Sequence, residues 1–146
     1  MSLRVLALDL ERTLISDANS ANSRPGLAAF LAFCHQRFER VVIFTTVEDT
    51  DARSALDQLV ERGHIPAELV EPLSYVAWTG EYKALEFVTG VVSQEVLLVD
   101  DDAGWIRPDQ RDRWIAIAPW AGGPDSELFR VQGLWAEWLE AAIAGE

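Results

Sequence analysis

The chain has 146 residues, of which 49% are hydrophobic, and its net charge is −12 because 24 acidic residues outnumber 12 lysines and arginines. This length suits one substantial core and is too short for two, which predicts a single domain over residues 1–146. A field of this sign repels phosphate backbones, which excludes generic nucleic-acid binding. No window approaches the roughly 20 apolar residues of a membrane span and the N-terminus lacks a signal-peptide pattern, so we expect a cytoplasmic protein of undetermined oligomeric state.

Five β-rich runs alternate with helical patterns along the chain. The runs are RVLALDL, RVVIFTT, SYVAW, EVLLVD and RWIAIAP, at residues 4–10, 40–46, 74–78, 95–100 and 113–119. Helical patterns cover residues 27–38, 49–63, 82–90 and 125–144. This alternation predicts an α/β fold in which helices cover a parallel sheet. The first, second and fourth runs are nearly continuous in Val, Leu and Ile, which is typical of central strands buried on both faces.

Polar residues follow three of the predicted strands. They are Asp9 and Glu11 after the first strand, Thr45 and Thr46 after the second, Asp100, Asp101 and Asp102 after the fourth, and Lys83 in the segment that leads to the fourth. In open parallel sheets, ligands bind beyond the carboxyl ends of the strands. Each residue alone fits an ordinary solvated turn. Together they bring carboxylates, a hydroxyl and an ammonium to one edge, which predicts a site for a phosphoryl group and a divalent metal.

Phosphoryl transfer has a definite use for each of these residue types. An Asp carboxylate can attack phosphorus and form an aspartyl-phosphate. Two carboxylates from different strands can hold Mg²⁺, which prefers oxygen ligands. The metal also relieves the repulsion between clustered acids and an anionic substrate. The pattern therefore favours a metal-dependent phosphate-handling enzyme.

The order and spacing of these residues resemble the motifs of the haloacid dehalogenase-like hydrolase superfamily. That pattern is D-x-D-x-T after the first strand, Thr or Ser after the second, Lys before the fourth and paired Asp after it. Here the four elements read DLERT, VVIFTT, EYKALEF and VLLVDDD. The segments SRPGLAAFLAFCHQRFERVVIFTT and IAIAPWAGGPDSELF further resemble the capless branch that includes the C-terminal-domain phosphatases of RNA polymerase and the NLI-interacting-factor-like proteins.

The resemblance implies a fold and a mechanism. The fold is a Rossmann-like three-layer sandwich with a five-stranded parallel sheet of order 3-2-1-4-5, helices on both faces and no cap domain. In the mechanism, Asp9 attacks phosphorus, while Glu11 protonates the leaving oxygen and then takes a proton from the hydrolytic water. The remaining implied roles are substrate binding by Thr45, Thr46 and Lys83, and coordination of Mg²⁺ by Asp9, the backbone carbonyl of Glu11, Asp100 and Asp101.

One position departs from the pattern, because Glu11 stands where the superfamily has its second Asp. The added carbon–carbon bond lengthens the side chain by roughly 1.5 Å, and a misplacement of about 1 Å can cost on the order of 10²-fold in rate. We therefore expect a retained Mg²⁺ and phosphate site whose turnover is slow, altered in substrate or lost.

Two functions remain open from the sequence. The first is a Mg²⁺-dependent phosphomonoester hydrolase whose open site suits a phosphoprotein or another large phosphorylated substrate, because neither connection that could carry a cap is long enough for one. The second is a catalytically silent protein-binding module with the same fold that recognises phosphorylated or acidic-poor partners, which Glu11 favours. Turnover of a small phosphate ester separates the two.

Overall fold

The computed structural model describes residues 3–144, except for the side chains of residue 136 and of residues 138–144. Five parallel strands form one sheet: β1 (Val5–Leu8), β2 (Arg40–Ile43), β3 (Ser74–Tyr75), β4 (Val96–Asp100) and β5 (Trp114–Ala116). The strand order is β3-β2-β1-β4-β5. The predicted α/β class and the predicted order are therefore confirmed.

Four α-helices connect or follow the strands. They are α1 (Leu27–Arg37), α2 (Asp49–Glu61), the short α3 (Ala67–Val70) and α4 (Glu127–Ala144). Alternate residues of β1 point to opposite faces of the sheet, so that Leu6 and Leu8 share a core with the buried residues of α1, α2 and α4. No helix in residues 3–144 has both the length and the hydrophobicity that crossing a membrane requires.

Within residues 3–144, the helices on the other face of the sheet are short 3₁₀ helices. Val5 and Ala7 pack there against residues from the connections that follow β3 and β4. These connections contain 3₁₀ helices at Leu85–Phe87, Ser93–Glu95, Ala103–Trp105 and Pro108–Arg113. The predicted helices on both faces are therefore confirmed, with the α-helices on one of them. No separate cap domain is present in the described part of the chain.

The predicted helix over residues 82–90 was wrong, because only Leu85–Phe87 is helical there. Nine residues fall below the roughly 12 that an isolated helix needs, and this stretch ends in the β-branched Val88 and Thr89 and in Gly90, whose φ is 82°. The N–H group of Lys83 instead donates to the carbonyl of Trp105 at 2.8 Å. This extended backbone carries the lysine towards the end of the sheet.

Helix α4 is fixed to α1 by an aromatic cluster around Trp135. The ring of Trp135 lies 5.0 Å from that of Phe30 and 5.7 Å from that of Phe38, between centroids. Trp135 is completely buried. This cluster fixes α4 against α1. The segments that precede these two helices contribute to the site described next.

Candidate active site

The carboxyl ends of β1 and β4 bring three carboxylates together. Leu8 pairs with Val99 of β4, and the N–H group of the following residue, Asp9, donates to the carbonyl of Val99 at 2.9 Å. Asp9 and Asp100 therefore leave neighbouring strands at the same level. Carboxylate oxygens of Asp9, Asp100 and Asp101 all lie within 4.8 Å of one another.

Lys83 lies between two of these carboxylates. Its Nζ donates to Oδ1 of Asp9 at 2.9 Å and to Oδ2 of Asp100 at 2.5 Å. The side chain of Lys83 is only 1% exposed. A charge buried this deeply requires opposite charges at hydrogen-bonding distance, and the two aspartates supply them.

Burial and the neighbouring charges shift the pKa values of all three groups. Burial raises the pKa of Asp9, with Lys83 acting against this shift and Asp100 adding to it. Burial likewise raises the pKa of Asp100, again against the effect of Lys83. For Lys83, burial opposes the charged form, but the attraction of the two aspartates outweighs it and the pKa is raised. The lysine is therefore charged, and the acids are crowded enough that an added cation would stabilise their ionised forms.

Thr13 orients the second oxygen of Asp9. Its Oγ1 donates to Oδ2 of Asp9 at 2.8 Å and lies 3.4 Å from Oδ1 of Asp101. The chain can return towards Asp9 because Arg12 has a φ of 62°, in the left-handed region. Thr13 is the last residue of the DLERT motif, but the sequence analysis gave it no role. Its place in that motif was the signal.

The side chain of Glu11 has a different partner. Its Oε2 accepts a hydrogen bond from the N–H group of Ala18 at 2.8 Å. It lines a cavity of about 410 Å³ together with residues of the following loop and of α2. The carboxylate of Glu11 is not one of the three that lie within 4.8 Å. Its predicted metal contact through the backbone carbonyl and its predicted acid/base role both stay predictions.

Thr45 and Thr46 lie at the adjacent strand end. Thr45 is buried, its Oγ1 accepts the N–H group of Val47 at 3.1 Å, and its carbonyl accepts the indole N–H group of Trp78 at 2.8 Å. A hydroxyl can donate one hydrogen bond while it accepts another, so the proton of Thr45 remains available to a ligand. Thr46 is exposed.

Arg24 supports the loop that carries Arg12 and Thr13. Its guanidinium donates to both carboxylate oxygens of Asp125, at 2.7 and 3.1 Å. It also donates to the carbonyl oxygens of Arg12 and Thr13, both at 3.2 Å, and to that of Ala118 at 2.7 Å. Arg24 is almost completely buried. Arg24 lies in the first of the two segments that carried the resemblance, which begins SRPG, and Asp125 lies in the second, which ends PDSELF. The two segments therefore meet, and their contact holds the loop beside Asp9.

The sheet order and the buried lysine between two aspartates define a phosphatase core of the haloacid dehalogenase-like type. The family model described as NLI interacting factor-like phosphatase matches residues 4–142, so the chain belongs to that family. The predicted resemblance is thereby confirmed. Among curated proteins, no sequence matches the chain.

Proposed function

We propose that this protein is a Mg²⁺-dependent phosphomonoester hydrolase that acts through an aspartyl-phosphate on Asp9. The carboxylate cluster carries the proposal, because Asp9, Asp100 and Asp101 offer oxygens within 4.8 Å while Asp9 is held by Lys83 on one oxygen and by Thr13 on the other. Membership in a phosphatase family supports it.

The donor set fits Mg²⁺. All three residues offer carboxylate oxygens, which suit this hard cation, and these oxygens already lie within 4.8 Å of one another. We propose Asp9, Asp100, Asp101 and the backbone carbonyl of Glu11 as the protein ligands. When bound, the ion would neutralise charge on the phosphoryl group and on the clustered acids.

The protein's own groups divide the remaining work. The carboxylate of Asp9 attacks phosphorus, so that an Asp9–phosphorus bond forms as the bond to the leaving oxygen breaks. Lys83 neutralises charge on Asp9 and on the transferred group. The Thr45 hydroxyl donates its free proton to a phosphoryl oxygen, and Thr46 contacts the substrate at the exposed rim.

Glu11 has to leave its present partner to act as acid and base. To protonate the leaving oxygen, Glu11 must act in its carboxylic acid form and turn away from Ala18, whose N–H group its Oε2 accepts at 2.8 Å. The resulting carboxylate then takes a proton from the water that displaces phosphate from Asp9. A hydrogen bond to a charged group contributes about 1.5–3 kcal/mol, which corresponds to a rate penalty of about 10- to 100-fold. Slow turnover is therefore expected even with every other group in place.

The connections around the site leave it open to a large substrate. Between Asp9 and Thr45 the structure contains one loop, α1 and β2, and between Lys83 and Asp100 it contains only two 3₁₀ helices and β4. Neither place holds a cap. We therefore propose a phosphoprotein as the substrate.

A second candidate function rests on Glu11 itself. Its bond to Ala18 holds the would-be acid in place, as expected of a module that binds a phosphorylated partner without hydrolysing it. In that case phosphate and Mg²⁺ bind, but no ester is cleaved.

Hydrolysis of p-nitrophenyl phosphate with Mg²⁺ or with EDTA tests both candidates. The proteins are wild type, Asp9→Asn, Glu11→Asp and, as a matched control, Asp112→Asn, whose side chain is 76% exposed. Phosphatase function predicts Mg²⁺-dependent turnover that Asp9→Asn abolishes and Asp112→Asn retains. An inactive wild type with an active Glu11→Asp would establish the silent module. If no protein turned over substrate and calorimetry detected no Mg²⁺ binding, both proposals would fail.

A further inference from the structure

A groove of about 460 Å³ opens directly beside the proposed phosphate site. Thr45 and Thr46 form part of its wall, and the rest comes from residues 47–49, residues 76–80 and Trp105. None of these further residues has a role in the proposed chemistry. A substrate whose phosphoryl group reached Thr45 would place its neighbouring atoms in or beside this groove.

The aromatic wall of the groove is attached to the phosphate site. The rings of Trp78 and Trp105 meet edge to face, with 5.8 Å between centroids and an interplanar angle of 80°. The indole N–H group of Trp78 donates to the carbonyl of Thr45 at 2.8 Å, and the carbonyl of Trp105 accepts the N–H group of Lys83 at 2.8 Å. Both indoles are half-buried, so each retains an accessible surface. The wall is therefore fixed relative to the residues that would hold the phosphoryl group.

The groove is also lined by acidic residues. Glu48 and Asp49 line it at the start of α2, and both are exposed. Asp49 is paired with Arg53 at 2.5 Å, whereas Glu48 makes no ion pair with any side chain that the structure describes. Glu48 also does not cap α2 with its side chain. Its charge is therefore available to a ligand.

We infer that this groove binds an arginine or lysine side chain adjacent to the phosphorylated residue of a phosphopeptide, an inference that rests on the proposed phosphatase function. The aliphatic stem of such a side chain would lie on the indoles, and its cation would face both an aromatic surface and Glu48. The net charge of −12 attracts a basic peptide in addition. An acidic residue at the same position would instead face Glu48 and Asp49.

The test uses phosphoserine peptides that differ only in the residue next to the phosphoserine. That residue is Arg, Leu or Glu, placed on either side in separate peptides, and kcat/KM is measured from phosphate release. We expect Arg to be preferred over Glu by about tenfold in one of the two placements, from one exposed ion pair and one cation–π contact. Glu48→Lys should reverse this order, and Trp105→Leu should reduce the preference to about twofold.

Glu61→Lys is the matched control, because Glu61 is an exposed glutamate at the far end of the same helix. It should leave the Arg-to-Glu ratio unchanged. Equal kcat/KM for the three peptides in both placements, or a Glu48→Lys protein that keeps the wild-type order, would overturn the inference.

Failure of the phosphatase proposal gives a different result. An enzyme inactive on p-nitrophenyl phosphate and on every peptide would overturn the proposed chemistry but not the groove. Fluorescence anisotropy of the same peptides, labelled, then tests the inference, because it measures binding without turnover. Tighter binding of the Arg peptide than of the Glu peptide, with the order inverted by Glu48→Lys, supports the inference. Equal affinity for the three peptides rejects it.

Discussion

The two sides of Asp9 are built differently. On one side, Lys83 and Asp100 are buried, bonded to each other and supplied by segments far along the chain. On the other side, Glu11 forms an isolated β-bridge with Ile15, and its side chain accepts one hydrogen bond from the nearby backbone of Ala18. The lysine–aspartate side is thus part of the protein core, whereas the side chain of Glu11 depends on one local contact. This difference explains how a substitution at the second acidic position of the motif can coexist with an intact site.

Removing Lys83 should have the largest effect on stability. Lys83→Met leaves Asp9 and Asp100 without their shared cation, and removing one partner from a buried ion pair typically costs about 3–5 kcal/mol. Urea unfolding of the metal-free protein measures the loss. Arg4→Met, which breaks a surface pair whose arginine is 41% exposed, should cost far less because solvent screens the pair. Similar losses for the two variants would contradict the contrast between core and surface.

The second-largest effect on stability should come from the ion pair between Arg24 and Asp125, which supports the loop that carries Arg12 and Thr13. Asp125→Asn deprives the buried guanidinium of Arg24 of its carboxylate and should lower the free energy of unfolding by about 3 kcal/mol. Thermal denaturation compares it with Asp112→Asn, which removes an exposed carboxylate and should change little. Turnover should fall as well, because Arg24 also bonds the carbonyls of Arg12 and Thr13. If Asp125→Asn left the stability unchanged, the carbonyl groups alone would be sufficient to stabilise the buried guanidinium of Arg24.

Shortening the acid should move activity and stability in opposite directions. Glu11→Asp no longer reaches Ala18, so about 1.5–3 kcal/mol of stability should be lost while turnover of p-nitrophenyl phosphate rises about 10- to 100-fold. Stopped-assay kinetics and urea unfolding on the same preparation check both. Glu11→Gln keeps the length but cannot supply the acid, and it should not gain activity. If turnover rose in both variants, release of the acidic side chain from Ala18 would be excluded as the cause of the rise.

The smallest expected effect concerns acid stability at the start of α4. A hydrogen bond from Arg130 lowers the pKa of Glu127 from 4.5 to about 2. Because the folded-state pKa lies below the unfolded value, this stabilisation is complete above pH 4.5 and is lost as the pH falls towards 2. Glu127→Gln should remove about 1 kcal/mol of this pH dependence, after allowance for partial exposure of the pair. Urea midpoints between pH 2.5 and 6 measure it, and an identical slope in the variant would contradict the assignment.

Much of the fold followed from local patterns. The continuous apolar runs at residues 4–10, 40–46 and 95–100 identified the three central strands, because burial on both faces requires such runs. The segment 82–90 was misassigned as a helix, since its short apolar periodicity does not reveal that Lys83 must reach the end of the sheet. There, the helix preference of a short segment was weak, and tertiary contacts decided the conformation.

The site was predicted in its composition but not in all its contacts. Asp9, Asp100 and Asp101 come together as expected, because parallel strands end at one edge. The roles of Thr13 and Arg24 were missed, although both lie in motifs that the resemblance identified. A hydrogen bond such as that between Arg24 and Asp125 joins residues 101 positions apart, and no local pattern indicates it.

The sequence by itself determined which residue types leave the central strands, because apolar runs define strand ends and parallel connections align them. It also determined the net charge and the unusual length of the second acid. Only the tertiary structure decided that Lys83 is shared between two aspartates, that Glu11 bonds to Ala18, and that Trp78, Trp105 and Glu48 line one groove with Thr45. These features depend on side-chain contacts between segments that the chain brings together only on folding, such as Lys83 and Asp9, 74 positions apart.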